Sequence, residues 1–584
     1  MRPRLVTAAL MALLALLAGG CVGVPQGGRV LRGNAGGTEQ PVDDPYVRII
    51  PVGPERDWPP ISIVEGFRTA SSSFDGPNGD HQVARSYLAC PSCWRPGVAA
   101  IVYDKLDPPT YEPNGPTQAT VTLQGSQLGR IGADGQYIAD AVDFKEVFHL
   151  RRDAQRQWRI TEPLPPEGLL LSRDDVTRAF RTLDLYFFAP DSQTLVPNPV
   201  FIPLVSRSWL PTQLVKQLIS GPTIWLKSAL VRSTFPAGTG LRRLQISGGV
   251  ATVDLTRQAR AGDLRGMSIQ LIWTLRQLRE VQRMQLRIDG KPVQVPGISG
   301  RLQSIHDWDA YNPNGSGEPQ QAYVRLVDGR LGRLDGDRAQ SMPLKLQVGH
   351  PAISYDHRQA ASLNAAANTV TVTDLIGGSV RSTMRATSKG GRFTPPSWDS
   401  RGNVWVVEST ANGSRLWIIE GGTRPVAVDG WALVQYPAKA LRVSRDGTRA
   451  AVIVKADNRW QVQLGRIDRA PSGGLQAEGF ISISSELQSA IDLAWSTTDH
   501  LAVIGMTNGN PSPSLFDVPV SGAPIQPMIG PGGEMTTVTA SPGSPLLVTQ
   551  RVSPGDKTLN VCRLSDRYDD WKCVNGTSDP AYPG

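Results

Sequence analysis

The sequence predicts a multidomain protein: two α+β domains, the N-terminal one cone-like, followed by an all-β propeller of about six blades. Three observations carry this expectation. At 584 residues the chain exceeds what one hydrophobic core organises. Apolar residues at helical spacing are confined to roughly the first half of the chain. Beyond about residue 320 they give way to short, turn-bounded segments that recur at a nearly constant period.

The N-terminus comes first in the chain. Arg2 and Arg4 precede an apolar run from Leu5 to Leu17 and then Ala18-Gly19-Gly20-Cys21, the layout of a secretory signal over 1–20 whose apolar run is too short to span a bilayer. Small residues before a lone cysteine resemble the lipobox of bacterial lipoproteins, with Ala18 where that motif usually has Leu. The resemblance implies that Cys21 is the lipid-attachment site; the alternative is a plain cleavable signal. Residues 21–45 are Gly-, Pro- and polar-rich and read as a flexible tether.

Residues 46–170 should form the first α+β domain. Ile63, Val64, Phe67 and Ala70 fall at helical spacing, and Val83, Tyr87 and Leu88 suggest a second short helix. Strand-like runs follow at Gly97 to Tyr103, Ala119 to Leu123, Val142 to Leu150 and Gln157 to Ile160. Helices leading into a curved antiparallel sheet resemble a nuclear-transport-factor-like cone. Residues 171–300 form the second unit, opening on Ser172 as a helix cap with Asp174 and Asp175 in the first turn. A strand over Leu183 to Phe188, a helix ending at Gly221-Pro222, a strand over Val250 to Leu255, a helix through Met267 to Leu278 and a hairpin at Asp289-Gly290 follow. A polar linker is expected over 301–320.

For the propeller, 321–584, aligning Ser354, Asp399, Ser444, Ser496 and Ser541 gives spacings of 45, 45, 52 and 45. Four-stranded blades repeat every ~40–50 residues. Trp398, Trp405 and Trp495 are expected to pack between blades.

Composition narrows function. Glycine (59) and proline (47) make the chain turn-rich without reaching the range of disordered or collagen-like proteins. The net charge of +8 falls to +6 if Arg2 and Arg4 leave with the signal. The longest basic clusters are pairs such as Arg151 with Arg152 and Arg242 with Arg243, too dilute for a nucleic-acid stripe, so no nucleic-acid partner is expected. Setting Cys21 aside, the cysteines form two close pairs, Cys90 with Cys93 and Cys562 with Cys573, candidate disulfides in an exported chain. Cys-Pro-x-Cys is also a redox arrangement, but here it follows a helix, where the dipole disfavours a thiolate.

No catalytic motif is present: no Gly-x-Ser-x-Gly, phosphate loop, His-Glu-x-x-His or EF-hand. His350 and His357, seven apart on opposite sides of a turn, read as an incidental pair, and Asp335-Gly336-Asp337 as a hairpin turn, rather than as metal ligands. Asp307, Asp309, Asp569 and Asp570 read as solvated turn acids rather than a glycosidase pair. The Asn-Gly-Ser/Thr triplets at 314, 412 and 575 read as turns. No enzyme activity, cofactor or metal is expected.

Leu185-Tyr186-Phe187, Leu218-Ile219-Ser220-Gly221-Pro222 and Gly249 to Leu255 resemble, in order, the GerM-type domain of germination and envelope proteins. The succession of lipobox, tether, α+β domain, GerM-type domain and propeller resembles the LpqB family of actinobacterial lipoproteins. Gly66-Phe67, Val83-Ala84-Arg85-Ser86-Tyr87-Leu88, Leu195-Val196-Pro197 and Val443 to Gly447 support it, and Cys90 with Cys93 lies outside the family pattern. The resemblance implies a lipid-anchored protein on the outer face of the cytoplasmic membrane. There it would bind the extracytoplasmic domain of the MtrB sensor histidine kinase and modulate MtrA/MtrB signalling in envelope homeostasis, division and development. The alternatives are a cell-wall ligand sensor, which predicts an aromatic-lined propeller mouth, and an envelope hydrolase.

Overall fold

A computed structural model describes residues 50–584 apart from 76–78, 165–167, 191–192, 206–208, 228, 230, 470–473, 554, 556 and 566–569. The expected signal, Cys21 and the whole of the expected tether lie outside the described residues.

In the first domain the helix Pro60–Ser71 starts on Pro59-Pro60, whose fixed φ suits a first turn. It buries Ile63, Val64, Phe67 and Ala70 against a mixed sheet. That sheet runs in the order Trp158–Thr161, Asp143–Arg152, Gln118–Gly132, Ala99–Leu106, Leu169–Ser172. All pairings are antiparallel except the last, where Ala100 lies opposite Leu169 in parallel. The strand Leu169–Ser172 therefore straddles the expected boundary at 170. It leads directly into the helix Arg173–Ala179, which opens on a capping box: Asp175 N donates to Ser172 Oγ at 3.0 Å and Ser172 N to Asp175 Oδ2 at 2.9 Å.

The second domain begins with the hairpin Phe180–Phe188 and Leu195–Pro203. The helix Leu210–Ser220 stops at Gly221, whose φ of 97° a side chain would resist. Strands Val250–Leu255 and Arg283–Ile288 pair in parallel, joined through the helix Leu264–Leu275, and Leu241–Ser247 pairs antiparallel with the first. Parallel neighbours need such a crossover. The crossover helix is buried from Gly266 to Leu275. The expected linker differs at its start. Leu302–Ser304 adds a strand beside Arg283–Gln285, and Trp308 is buried in this domain's core with its Nε1–H donated to Gln303 Oε1 at 3.2 Å. An indole supplies more apolar area than a solvated linker can leave exposed.

The remaining strands form six sheets, the six blades of a propeller. The ring closes on itself: Thr577–Ala581, from the C-terminal end, pairs with Ala322–Leu326 as the inner strand of blade one. The inner strands contact one another in succession, and Glu534–Thr539 of blade six touches Thr577–Ala581. Closure builds blade one from both ends of the propeller, so the first and last blades are held together as neighbours in the ring. The recurring anchors are the first turns of blades two to six. In blade four Ser444 Oγ donates to Asp446 Oδ1 at 2.8 Å and accepts from Arg449 N at 3.1 Å, while Gly447 supplies a φ of 68°. Ser354 builds the same turn in blade two, with Asp356 and Gln359 N. Trp398 and Trp495 pack between blades, donating to Ala352 O at 3.0 Å and Arg442 O at 3.0 Å of the preceding blade. Trp405 is also buried, its indole held by Asp399 Oδ2 at 2.9 Å.

Candidate functional site

Two places bring functional groups together: the junction of the three domains and the axis of the propeller. At the junction, the tight turn between Gln118–Gly132 and Tyr137–Ala139 of the first domain reaches into the other two. Asp134 accepts from Ile224 N at 3.0 Å, its carbonyl accepts from Gln217 Nε2 at 2.5 Å, and Gly135 O accepts from Phe201 N at 2.8 Å. Tyr137 stacks on Phe201 at 5.7 Å and lies so close to Gly522 of blade five that no side chain fits there. Arg173 pairs with Glu486 of the propeller at 2.9 Å. Trp225 donates to Gly479 O of blade four at 2.5 Å.

Arg449 completes the junction. Its guanidinium is fully buried, 2.6 Å from Asp446, donating to Thr498 O at 2.8 Å and to Pro197 O of the second domain at 3.5 Å, under the ring of Trp495. Burial opposes ionisation of Asp446, but Arg449 and Thr448 outweigh it and hold the carboxyl below its usual range. Nearby, His500 Nδ1 lies 3.2 Å from Asp499 and its Nε2 3.8 Å from Asp517, with Asp184 of the second domain also acting on it. Burial alone would lower the His500 pKa; the surrounding carboxylates push it up to about 9.

At the axis, His350 in blade two pairs with Asp579 on the closing strand at 2.9 Å, and Arg442 in blade four faces Asp492 in blade five at 3.6 Å. Burial opposes protonation of His350, yet Asp579, and Asp492 beyond it, raise its pKa. Burial raises that of Asp492, which Arg442 only partly offsets. One mouth of the axis carries aromatic residues, Tyr355, Trp495 and Tyr582, with Arg442 and Arg445. It is crossed by the chain's own segment between domains: Asn314 Oδ1 accepts from Thr498 N at 2.8 Å, Gly315 lies against the Arg445 guanidinium, and Gly317 O lies against Gly543. The recess there holds about 80 Å³ and the one beside the junction about 40 Å³, against the ~300 Å³ or more of ordinary small-molecule sites.

The expected site residues sit apart from one another. Cys90 and Cys93 are disulfide-bonded in a short 3-10 turn, and Cys562 and Cys573 are bonded across the two outer strands of blade six. Cys21 lies outside the described residues. His350 and His357 do not converge, since His357 faces Tyr323 at 3.2 Å. Asp335 and Asp337 flank a hairpin. Asp309 pairs with Arg276 at 2.8 Å, and Asp307 accepts from Ser304 N at 2.8 Å; Asp569 is outside the described residues. The only close His/Cys/Asp/Glu trio among the described residues contains the bonded Cys90 and Cys93 with Glu162, so its sulfurs are not free to bind metal. Tyr137 and Asp134 escaped the sequence reading because their partners lie far off in the chain, and Arg449 because, although Asp446 is three residues away, its contacts to Pro197 and Thr498 are distant. No helix among the described residues is long and apolar enough to cross a membrane.

Comparison with known proteins agrees with this architecture. Residues 53–177 match the family described as "Lipoprotein LpqB, N-terminal domain", 184–294 the one described as "Sporulation and spore germination", and 324–583 the "Lipoprotein LpqB beta-propeller domain". The chain is 34% identical to "Lipoprotein LpqB" of Thermobifida fusca, over 100% of this chain and 99% of that one. It is 31% identical to "Lipoprotein LpqB" of Streptomyces coelicolor, over 87% of each.

Proposed function

Because the chain belongs to the LpqB family of lipoproteins, we propose that it is a lipid-anchored accessory protein on the outer face of the cytoplasmic membrane, attached through Cys21. It binds the extracytoplasmic domain of the MtrB sensor histidine kinase and thereby modulates MtrA/MtrB signalling in envelope homeostasis, division and development. It acts by binding, without turnover. The observation that carries the reading is the interlocked junction, in which Arg449, Tyr137 and Asp134 tie all three domains into one body. Such a body offers its surfaces in a fixed relation and so can bind two kinase conformations unequally, which is what shifting their balance requires. Anchoring raises its effective concentration for a membrane partner without adding a contact.

The test is calorimetric titration of the soluble chain, starting after Cys21, into the purified extracytoplasmic domain of the kinase. Saturable binding is expected, and weakening by substitutions confined to one domain locates the contact. Absence of heat at high micromolar concentration with a folded sample, together with binding of peptidoglycan fragments, replaces this reading with the cell-wall sensor.

A further inference from the structure

The charge of the chain is not spread evenly. Residues 184–294 hold 14 Lys and Arg against 6 Asp and Glu, a net of +8 that equals the charge of the whole chain and leaves the rest balanced. Part of this excess stands on one sheet face of the second domain. In Val250–Leu255 and Arg283–Ile288, the residues Ala251, Val253, Leu255, Met284, Leu286 and Ile288 are buried in the core, so the alternate residues face outward. The register then sets Arg243, Asp254 and Arg287 in one row, Gln245, Thr252, Gln285 and Leu302 in the next, and Ser247, Val250, Arg283 and Ser304 in the third. Arg243, Gln245 and Arg283 are exposed, and so is Leu302 at 39%. Among the described residues no carboxylate pairs with Arg243, Arg283 or Arg287. Asp254, the one acid in the rows, accepts from Gly290 N at 2.9 Å and lies 3.9 Å from Arg242, which in turn holds Asp289 at 2.5 Å. The Nε of Arg287 is buried with no acceptor.

We propose that this face docks on the anionic phospholipid headgroups of the membrane to which the chain is tethered. The proposal rests on the lipid-anchor reading. Guanidinium groups match phosphate oxygens in a fork geometry, a broad sheet face suits a headgroup layer, and Leu302 offers an apolar side chain among the arginines. A tether of about 25 residues has a mean reach of about 25–30 Å, so the charged layer is never far away, and binding at this face fixes how the molecule lies above it.

The soluble chain from residue 22 tests this without its anchor, by co-sedimentation with vesicles of phosphatidylcholine alone or with one-third phosphatidylglycerol. Binding only to the anionic vesicles, weakened by salt, is expected. With roughly fivefold per arginine, the triple variant R243A/R283A/R287A should bind about 100-fold more weakly at an unchanged circular dichroism spectrum, and the triple Lys variant should recover most of the loss. Equal binding to neutral vesicles, no binding by folded protein, or an unaffected alanine variant overturns the proposal, as does retention on RNA without vesicle binding. The anchor is tested separately by the mass of the N-terminal peptide from cells, so failure of one reading is distinguishable from failure of the other.

Discussion

At Gly66 a single methyl group decides whether the first helix can lie against Tyr87. A Cβ there would stand 2.6 Å from the Tyr87 hydroxyl and 2.7 Å from its ring, and Tyr87 cannot retreat, being fully buried with its hydroxyl donated to Val52 O at 2.7 Å. Alanine gains at most ~1 kcal/mol of helix propensity, whereas forcing an overpacked core costs about 1–3 kcal/mol. Gly66→Ala should therefore destabilise the protein in chemical denaturation. His81 makes the same domain sensitive to acid. It is 2% exposed, between Phe74 at 4.7 Å and Trp94 at 5.5 Å, and burial lowers its pKa to about 4 against the opposing charge of Asp75. An unfolded histidine titrates near 6.5, so the unfolded state takes the proton first. Stability is then full above about pH 6.5 and falls until about pH 4, by up to ~3 kcal/mol. His81→Asn, which tolerates the left-handed φ of 56°, should flatten thermal stability across that interval; an unchanged slope would assign the acid sensitivity elsewhere.

Among the elements, the crossover helix of the second domain and the turn that follows it show how polar residues survive burial. Gln270 Nε2 donates to Tyr186 O at 2.7 Å, Thr274 Oγ1 accepts from Tyr186 N at 3.2 Å, and Gln277 both accepts from Asp184 N at 2.9 Å and donates to Asp184 O at 2.7 Å. Spaced at i, i+4 and i+7, they form one stripe that satisfies the backbone of the strand Phe180–Phe188 as a neighbouring strand would. Gln277→Leu removes both hydrogen bonds to the Asp184 backbone and should cost on the order of 1–3 kcal/mol for each, read as a lower denaturation midpoint with unchanged slope. Helical and strand periodicity made this helix, the strand Val250–Leu255 and the Ser172 cap legible in the sequence, because each is decided by neighbours within a few residues. The blade anchors were legible for the same reason, since Ser444, Asp446 and Gly447 close their own turn. The polar stripe was not, because a glutamine that bonds a strand some 90 residues away has the same local pattern as one facing water. The basic sheet face was countable in the sequence but hidden, since its arginines come together only through strand register and not as runs.

At the scale of the whole molecule, the propeller gains a closed ring from its last strand and a bridge to the second domain from Arg449. That residue sits where blades four and five meet the second domain, and it neutralises a carboxylate with no access to water. Removing one member of a buried ion pair leaves a bare charge, at a cost of about 3–5 kcal/mol, whereas replacing both with apolar groups is often neutral. Arg449→Met should therefore lower the unfolding temperature and expose the junction to protease, because Asp446 keeps its charge while losing both its partner and the bridge to Pro197. The double variant R449M/D446N should recover most of the thermal stability, since no buried charge is left behind while an amide oxygen still accepts from Ser444 and Thr448. It should not recover protease resistance at the junction, because the hydrogen bond to Pro197 is still missing. If the double variant melts as low as the single one, the loss lies in packing around Trp495 rather than in the uncompensated carboxylate. If it regains both properties, Arg449 serves the propeller alone, and the domains are held by Tyr137, Trp225 and the Arg173–Glu486 pair.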